Sequence, residues 1–107
     1  MDIEELRDYA LAKQGAEEGF PFGEGALVFK VNGKIFLLVS LNAVPLQFNA
    51  KCDPEKAIDW REEYPCVQPG YHMNKKHWNT VTIDGCLQNR QLKEMIDDSY
   101  KLVSKKK

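Results

Sequence analysis

The sequence lacks any long hydrophobic run. Its longest apolar stretch, residues 35–39, has the length of a strand and falls far short of the roughly 20 residues that cross a bilayer. The first ten residues, MDIEELRDYA, are acidic and amphipathic, and they lack the basic region and apolar stretch of a secretory signal. We therefore expect no membrane association and a cytoplasmic location.

The sequence also has few cysteines and little net charge. Cys52, Cys66 and Cys86 are odd in number and far apart, and none belongs to a C-x-x-C pair, which argues against a disulfide framework or a zinc knuckle. The 15 basic and 16 acidic side chains give a formal net charge of −1, so no global field draws the chain to a polyanion. We expect reduced, partly buried thiols, no cofactor, and nucleic-acid contact only through a local patch.

The groupings that usually carry catalysis are missing. His72 and His77 are five positions apart, and neither has a Cys, Asp or Glu beside it to complete a metal or nucleophile site. Residues 22–25 lack the lysine and helix of a phosphate-binding loop. Cys52 follows Lys51 at a predicted helix start, which would favour a lowered thiol pKa, although a structural thiol is the more usual role. We predict a binding protein and not an enzyme.

What is present indicates one globular domain over residues 1–107, since 43% of the residues are hydrophobic and the length suits a single core. Asp2 and Glu5 form a capping pattern that predicts a first helix over residues 2–13. Asp53-Pro54 predicts the start of a second helix, which Pro65 ends. A third helix is predicted over residues 88–103, with one buried stripe formed by Leu92, Met95, Ile96, Ser99 and Val103.

Strand signals lie between these helices. Residues 26–31, Asn32-Gly33 and residues 34–39 predict a hairpin closed by a type I′ turn. Further extended segments are predicted at 45–50 and within 67–81, with a short strand or ordered loop in 16–25. If Val31 opposes Lys34, the expected register pairs are Lys30–Ile35, Phe29–Phe36, Val28–Leu37 and Leu27–Leu38. The prediction is an α+β fold, an antiparallel sheet on which N-terminal, central and C-terminal helices pack.

One segment has an uneven charge distribution. No acidic residue lies between Glu63 and Asp84, and this gap holds the lysines, histidines, amide and aromatics of residues 70–80. Such groups neutralise phosphates, fix register and stack on unpaired bases. The alternative is structural: Trp78 and Val81 would be buried in a strand, His77 would be a packing residue, and the lysines would keep a loop soluble.

Short motifs spread along nearly the whole chain point to a known family. They are Phe22-Gly23, Val28-Phe29-Lys30-Val31 with Lys34 and Phe36, Lys51-Cys52 with Pro54, the run from Pro69 to Trp78, and Ser99-Tyr100 with Leu102-Val103. In this order they resemble the MmcQ/YjbR family. The resemblance implies a frataxin-like (CyaY-like) α+β fold and a DNA-binding role through a proposed double-wing motif. Because a fold does not determine a function, the resemblance supplies an expectation and no mechanism.

The matching positions define the expected nucleic-acid site. It comprises Lys30, Lys34, Lys51, His72, Asn74, Lys75, Lys76, His77 and Trp78. As a hypothesis, the hairpin and the loop in the seventies grip a duplex backbone, and Asn74 contacts a base edge or a phosphate. We expect DNA as the partner and a monomeric protein.

Two other kinds of partner stay open. An apolar outer face of the hairpin, formed by Val28, Ile35 and Leu37, would suit a protein partner. The frataxin-like fold suggests iron binding by acidic oxygen ligands of the first helix and the segment after it, namely Glu4, Glu5, Asp8, Glu17 and Glu18. A charged helix face is more often only a solvated surface.

Overall fold

The computed structural model describes residues 1–70 and 73–105. The elements in chain order are α1 (Ile3–Leu11), β1 (Glu17–Gly19), β2 (Ala26–Val31), β3 (Lys34–Ser40), β4 (Gln47–Lys51), α2 (Pro54–Glu63), β5 (Val67–Pro69), β6 (Trp78–Thr82) and α3 (Asn89–Ser104). The strands form one six-stranded sheet in the order β1-β2-β3-β4-β6-β5. Every neighbouring pair is antiparallel, which confirms the predicted α+β fold class. No helix within these residues has the length and apolar character to cross a membrane.

The helix ends follow the capping residues of the sequence. Asp2 accepts a hydrogen bond from Glu5 N at 2.9 Å, and Asp53 accepts one from Glu55 N at 3.1 Å. Each carboxylate satisfies a backbone N–H that the first helical turn leaves without a partner. Pro54 occupies the first turn of α2, where its missing N–H costs nothing. The predicted helix starts are confirmed to within one residue.

One hydrophobic core lies between the sheet and the three helices. All five residues predicted for the buried stripe of α3 are buried. Polar contacts link the helices above this core: Tyr9 of α1 donates to Asp97 of α3 at 2.6 Å, and Lys56 of α2 pairs with Asp98 of α3 at 2.5 Å. Burial of apolar area supplies the main stabilisation, and these contacts fix how the helices lie beside one another.

The hairpin has the predicted turn but not the predicted register. Asn32 and Gly33 have φ of 54° and 76°, as a type I′ turn requires. The pairs next to the turn, Val31–Lys34 and Lys30–Ile35, are confirmed, but a β-bulge then shifts the register by one residue. The three remaining predicted pairs are therefore wrong, and the observed pairs are Phe29–Leu37, Val28–Leu38 and Leu27–Val39.

The bulge arises at Phe36 and is stabilised from α3. The Phe36 ring is fully buried and packs edge-on against Tyr100, with ring centroids 5.3 Å apart. The buried Ser99 hydroxyl donates to Phe36 O at 2.5 Å and accepts from Lys51 N at 2.8 Å. Ser99 thus satisfies one backbone group of β3 and one of β4 just beyond Leu37–Ala50, the last pair of the β3–β4 ladder.

The two faces of the sheet differ. Leu27, Phe29 and Leu37 point into the core, whereas Val28, Leu38 and Trp78 alternate with core residues and so belong to the opposite face, here called the outer face. The sequence pattern predicts Leu37 on the outer face of the hairpin, and this prediction is wrong because the bulge turns Leu37 inward.

Candidate functional site

The register of the sheet brings the predicted cationic residues to one end of it. The turn between β2 and β3, the last residue of β4 and the segment before β6 share that end, because each neighbouring pair of strands is antiparallel. Lys51 lies directly opposite Trp78, the first residue of β6. We call this region the basic end, and its predicted members are Lys30, Lys34, Lys51, Lys75 and Lys76.

The strand lysines have different surroundings. Lys30 is half-buried on the outer face and faces Glu17 across the β1–β2 pair. Lys51 lies on the same face at the end of β4, and Lys34 is exposed beside the hairpin turn. Because Lys30 has an acidic neighbour on β1, the exposed Lys34 supplies more of the local positive field than Lys30 does.

Backbone hydrogen bonds fix the loop of residues 73–77. Asn74 O accepts from His77 N at 3.0 Å and from Trp78 N at 2.9 Å, and Asn74 Oδ1 accepts from Lys76 N at 3.0 Å. Asn74 therefore shapes a turn, because its side-chain oxygen already bonds the backbone two residues on. One atom of the Asn74 side chain is thus engaged within the loop, and the expected contact of Asn74 with a base edge or a phosphate stays a prediction.

Two further contacts attach the loop to the rest of the protein. Arg61 of α2 donates through Nη2 to Lys75 O at 2.6 Å and through Nε to Asn79 Oδ1 at 2.7 Å. His77 O accepts from Cys52 N at 2.6 Å, which ties the loop to the start of α2. Sequence reasoning missed Arg61, because its partners lie 14 and 18 positions along the chain. The exposed lysines of the loop thus extend from an anchored backbone.

Trp78 is a strand residue and not an exposed platform. Only 9% of its surface is accessible, and the chain passes so close that a Cβ on Gly70 would lie 3.0 Å from Trp78 Cβ. Trp78 and Val81 are both buried, which agrees with the structural alternative for these two residues. Trp78 offers little ring surface for stacking on a base. His72 lies outside the described residues.

The carboxyl end of α3 adds a cation that the sequence analysis did not assign. Asn32 in the hairpin turn donates to Ser104 O, the last residue of α3, at 3.5 Å. Lys105 follows directly and is exposed. The signal in the sequence is the run of three final lysines, but only the fold shows that Lys105 lies beside the hairpin turn.

One of the acidic residues proposed for iron, Glu18, has another contact. Arg7 binds Glu18, with Nε and Oε1 2.7 Å apart, and this hydrogen bond lowers the pKa of the Glu18 carboxyl. Within residues 1–70 and 73–105, the one group of three metal-ligating side chains lies elsewhere and contains none of the acids of α1 or β1. The geometry gives the iron hypothesis no support.

Cys52 does not have an activated thiol. It is buried at the start of α2, and burial raises its pKa to about 11, outweighing the opposite effect of Lys56. The alternative of a lowered thiol pKa is not supported, because Lys56 does not compensate for lost solvation. The structural role weighed against it fits the observed burial.

A second cluster lies at the opposite end of β6. Thr82 N donates to Cys66 O at 2.9 Å, so the residue before β5 lies beside the residues that follow β6. The ligand atoms of Cys66, Asp84 and Cys86 all lie within 4.8 Å of one another. Burial, followed by a hydrogen bond with Cys86, raises the pKa of the Cys66 thiol to about 12. We call these three residues the thiol end. The wide spacing of the cysteines in the sequence gives no sign that Cys66 lies beside Asp84 and Cys86.

The fold and the basic end together define a class: an α+β protein whose open antiparallel sheet carries cationic residues along one end. A model of the YjbR family matches residues 11–102. The YbdF protein of Escherichia coli O157:H7 is 43% identical over 108 residues, covering 96% of this chain and 88% of its own length. The YjbR protein of Escherichia coli K12 is 36% identical over 100 residues, covering 94% and 85%. The chain belongs to the YjbR family.

Solved structures resemble this chain over nearly its whole length. The crystal structure of Deinococcus radiodurans protein DR2400 has a TM-score of 0.92 and 38% identity, covering 97% of this chain and 79% of that one. The crystal structure of a Pseudomonas syringae protein has a TM-score of 0.82 and 27% identity, covering 96% and 99%. The frataxin-like comparison remains a prediction from the sequence resemblance.

Proposed function

We propose that the basic end binds the phosphate backbone of DNA. One observation carries the proposal: segments around residues 30–34, 51 and 75–76, distant in sequence, lie at the same end of the sheet. In a chain of net charge −1, such a gathering of cations creates a local positive field where the whole molecule has none. The proposed function is one of binding and not of catalysis, in the cytoplasmic location expected from the sequence.

The contacts favour a duplex over a single strand. Single-strand binding relies on aromatic rings that stack on unpaired bases, and the ring of Trp78 is buried. The basic end offers charge instead, and charges on lysine side chains recognise phosphates without reading sequence. Arg61 and Cys52 hold the backbone of the 73–77 loop, so little of the loop has to be ordered on binding.

Nearby acidic groups limit the expected affinity. Glu17 faces Lys30, while Asp53 and Glu55 lie at the start of α2 just after Lys51. These carboxylates offset part of the attraction for phosphates. We expect dissociation constants on the order of micromolar at low salt, in the range of sequence-independent binding.

The test is a titration of labelled double-stranded DNA, followed by fluorescence anisotropy at about 50 and 200 mM salt. The Lys75→Gln/Lys76→Gln variant should bind more weakly. The slope of log affinity against log salt should become about 2 units shallower, since each lysine that neutralises a phosphate contributes about one unit. The matched control is Arg90→Gln/Lys93→Gln, which removes the same charge from the first half of α3. It should keep the wild-type slope.

Two outcomes would contradict the proposal. Absence of binding by the wild-type protein at the lower salt concentration would remove DNA as a partner. Equal decreases in affinity in both double variants would show that only net charge matters and that the basic end is no site.

A protein partner is the second candidate, and exposed aromatics favour it. Phe20 and Phe22 are 53% and 66% accessible and follow the edge strand β1. Phe20 also lines a groove of about 330 Å³ with Val28 and Lys30. Of the outer-face residues predicted for this role, Val28 is already buried and Leu37 is in the core, so the edge is the better surface. Partner capture that disappears in Phe20→Ser/Phe22→Ser, but persists in Lys75→Gln/Lys76→Gln, would favour it.

A further inference from the structure

We propose that Cys66, Cys86 and Asp84 at the thiol end bind one zinc ion, a site separate from the basic end. Two sulfur ligands and one carboxylate form a ligand set that zinc accepts, and the three protein ligands leave the fourth tetrahedral position for water. Softer thiolates disfavour magnesium and calcium, which prefer oxygen ligands.

The backbone holds the three ligands from two segments of the chain. Cys66 is fixed by the bond from Thr82 N to its carbonyl, and Asp84 N donates to Thr82 O at 3.2 Å. Cys86 N donates to Asp84 Oδ1 at 3.0 Å, which holds the Asp84 carboxylate beside the Cys86 backbone. The antiparallel pairing of β5 with β6 thus produces the site, although Asp84 lies 18 positions after Cys66 in the sequence.

The spacing suits a small tetrahedral ion after a modest contraction. Zinc–sulfur bonds of about 2.3 Å and zinc–oxygen bonds of about 2.0–2.2 Å place tetrahedral ligand atoms about 3.5–3.8 Å apart. The ligand atoms here lie within 4.8 Å of one another, so side-chain shifts on the order of 1 Å close the site. Asp84 is exposed and Cys86 half-buried, which leaves an entry path, while Cys66 lies beneath them.

Binding is an exchange of protons for metal and needs no oxidant. Each thiol gives its proton to solvent as its sulfur forms a bond to zinc, and the Asp84 carboxylate donates an electron pair without changing its own charge. A disulfide between Cys66 and Cys86 is the competing chemistry, and it would remove two electrons and leave Asp84 without a role. The carboxylate beside both sulfurs is the feature that favours the metal.

The test uses Co²⁺ as a spectroscopic probe on the full chain, kept reduced with a phosphine. The wild-type protein should develop a thiolate-to-cobalt charge-transfer band that saturates at one equivalent and is abolished by Zn²⁺. Cys86→Ser should lack the band, and Asp84→Asn should bind Co²⁺ at least about tenfold more weakly, since removal of even an outer-shell partner has such an effect. Cys52→Ala removes the remaining cysteine, distant from the cluster, and should leave the titration unchanged.

The partly exposed position of Cys86 makes it the better first variant, because Cys66 is buried and its replacement also alters packing. Reduced wild-type protein that gives no thiolate band would overturn the proposal, as would a band that survives in Cys86→Ser. DNA binding should be the same in wild type and Cys86→Ser, so failure of the zinc site and failure of the basic end are separate results.

Discussion

The two ends of β6 show two ways in which a fold turns scattered residues into a site. At the basic end, long cationic side chains extend from an anchored backbone, and they act through charge over several ångströms of water. At the thiol end, about 14 Å away along the strand, three short side chains converge within 4.8 Å, and the zinc binding proposed for them depends on bond lengths. The basic end should therefore tolerate Lys→Arg exchanges, whereas the thiol end should not tolerate Cys→Ser.

The largest expected effect comes from Phe36, the extra residue of β3 at the bulge. Replacing the fully buried Phe36 by Ala removes its packing against Phe29 and Tyr100 and leaves a cavity. We expect Phe36→Ala to lower the free energy of unfolding by about 3–5 kcal/mol, measured by urea denaturation. Phe22→Ala, at a ring that is 66% exposed, should change it by less than about 0.5 kcal/mol. Similar values for the two variants would show that the buried Phe36 ring contributes no more to stability than an exposed one.

Ser99→Ala should have the next largest effect. The substitution leaves Phe36 O and Lys51 N buried without their hydroxyl partner, which should destabilise the protein by about 2 kcal/mol. Hydrogen exchange at the Lys51 amide should also accelerate, since its acceptor is removed. Ser104→Ala, on the same helix but half-buried, is the control and should change stability by less than about 0.5 kcal/mol. Unchanged exchange at Lys51 would show that the hydroxyl does not support β4.

Ser99 also shows where prediction from sequence reaches its limit. The helical spacing of Leu92, Met95, Ile96, Ser99 and Val103 is enough to predict a buried stripe, because period 3.6 is a local property. The register of the hairpin is not predictable in this way. Residues 35–39 are apolar without alternation, so the sequence does not tell which of Phe36 and Leu37 faces the core. The Ser99 hydroxyl that bonds Phe36 O lies 63 positions after Phe36 in the sequence.

The residues of the candidate sites are likewise predictable from the sequence only in part. A local gap in acidic residues is enough to single out the lysines of the 73–77 loop, but their convergence with Lys51 depends on the pairing of β4 with β6. In the sequence Cys66 and Cys86 are unrelated thiols, because only the pairing of β5 with β6 brings them together. Residue types can be recognised from the sequence, and long-range strand pairing decides which of them meet.

Arg61 gives a smaller effect that distinguishes the two ends. Arg61→Gln removes the bonds to Lys75 O and Asn79 Oδ1, and we expect about 1 kcal/mol of destabilisation. The amides of His77 and Trp78 should exchange faster, and DNA affinity should fall, while the cobalt titration at the thiol end stays unchanged. Arg61→Lys keeps the charge but lacks the planar fork. If Arg61→Lys restores slow exchange, charge and not the fork holds the loop.

The smallest expected effect at neutral pH belongs to Cys52, whose contribution to stability changes only above about pH 9. Burial raises the pKa of its thiol from 9.0 to about 11, so the folded state keeps a proton that the unfolded chain releases. The stabilising contribution is fully present below pH 9 and is lost as the pH rises through the folded pKa, because the free energy of unfolding falls with pH wherever the native state binds more protons. The free energy of unfolding, measured by urea denaturation at several values between pH 8 and pH 11, should decline as the pH rises. The slope of this decline should be shallower in Cys52→Ala, by an amount that corresponds to at most one bound proton. Parallel curves for the two proteins would mean that the Cys52 thiol has the same pKa in the folded and unfolded states. Its burial at the start of α2 would then have no electrostatic effect on stability.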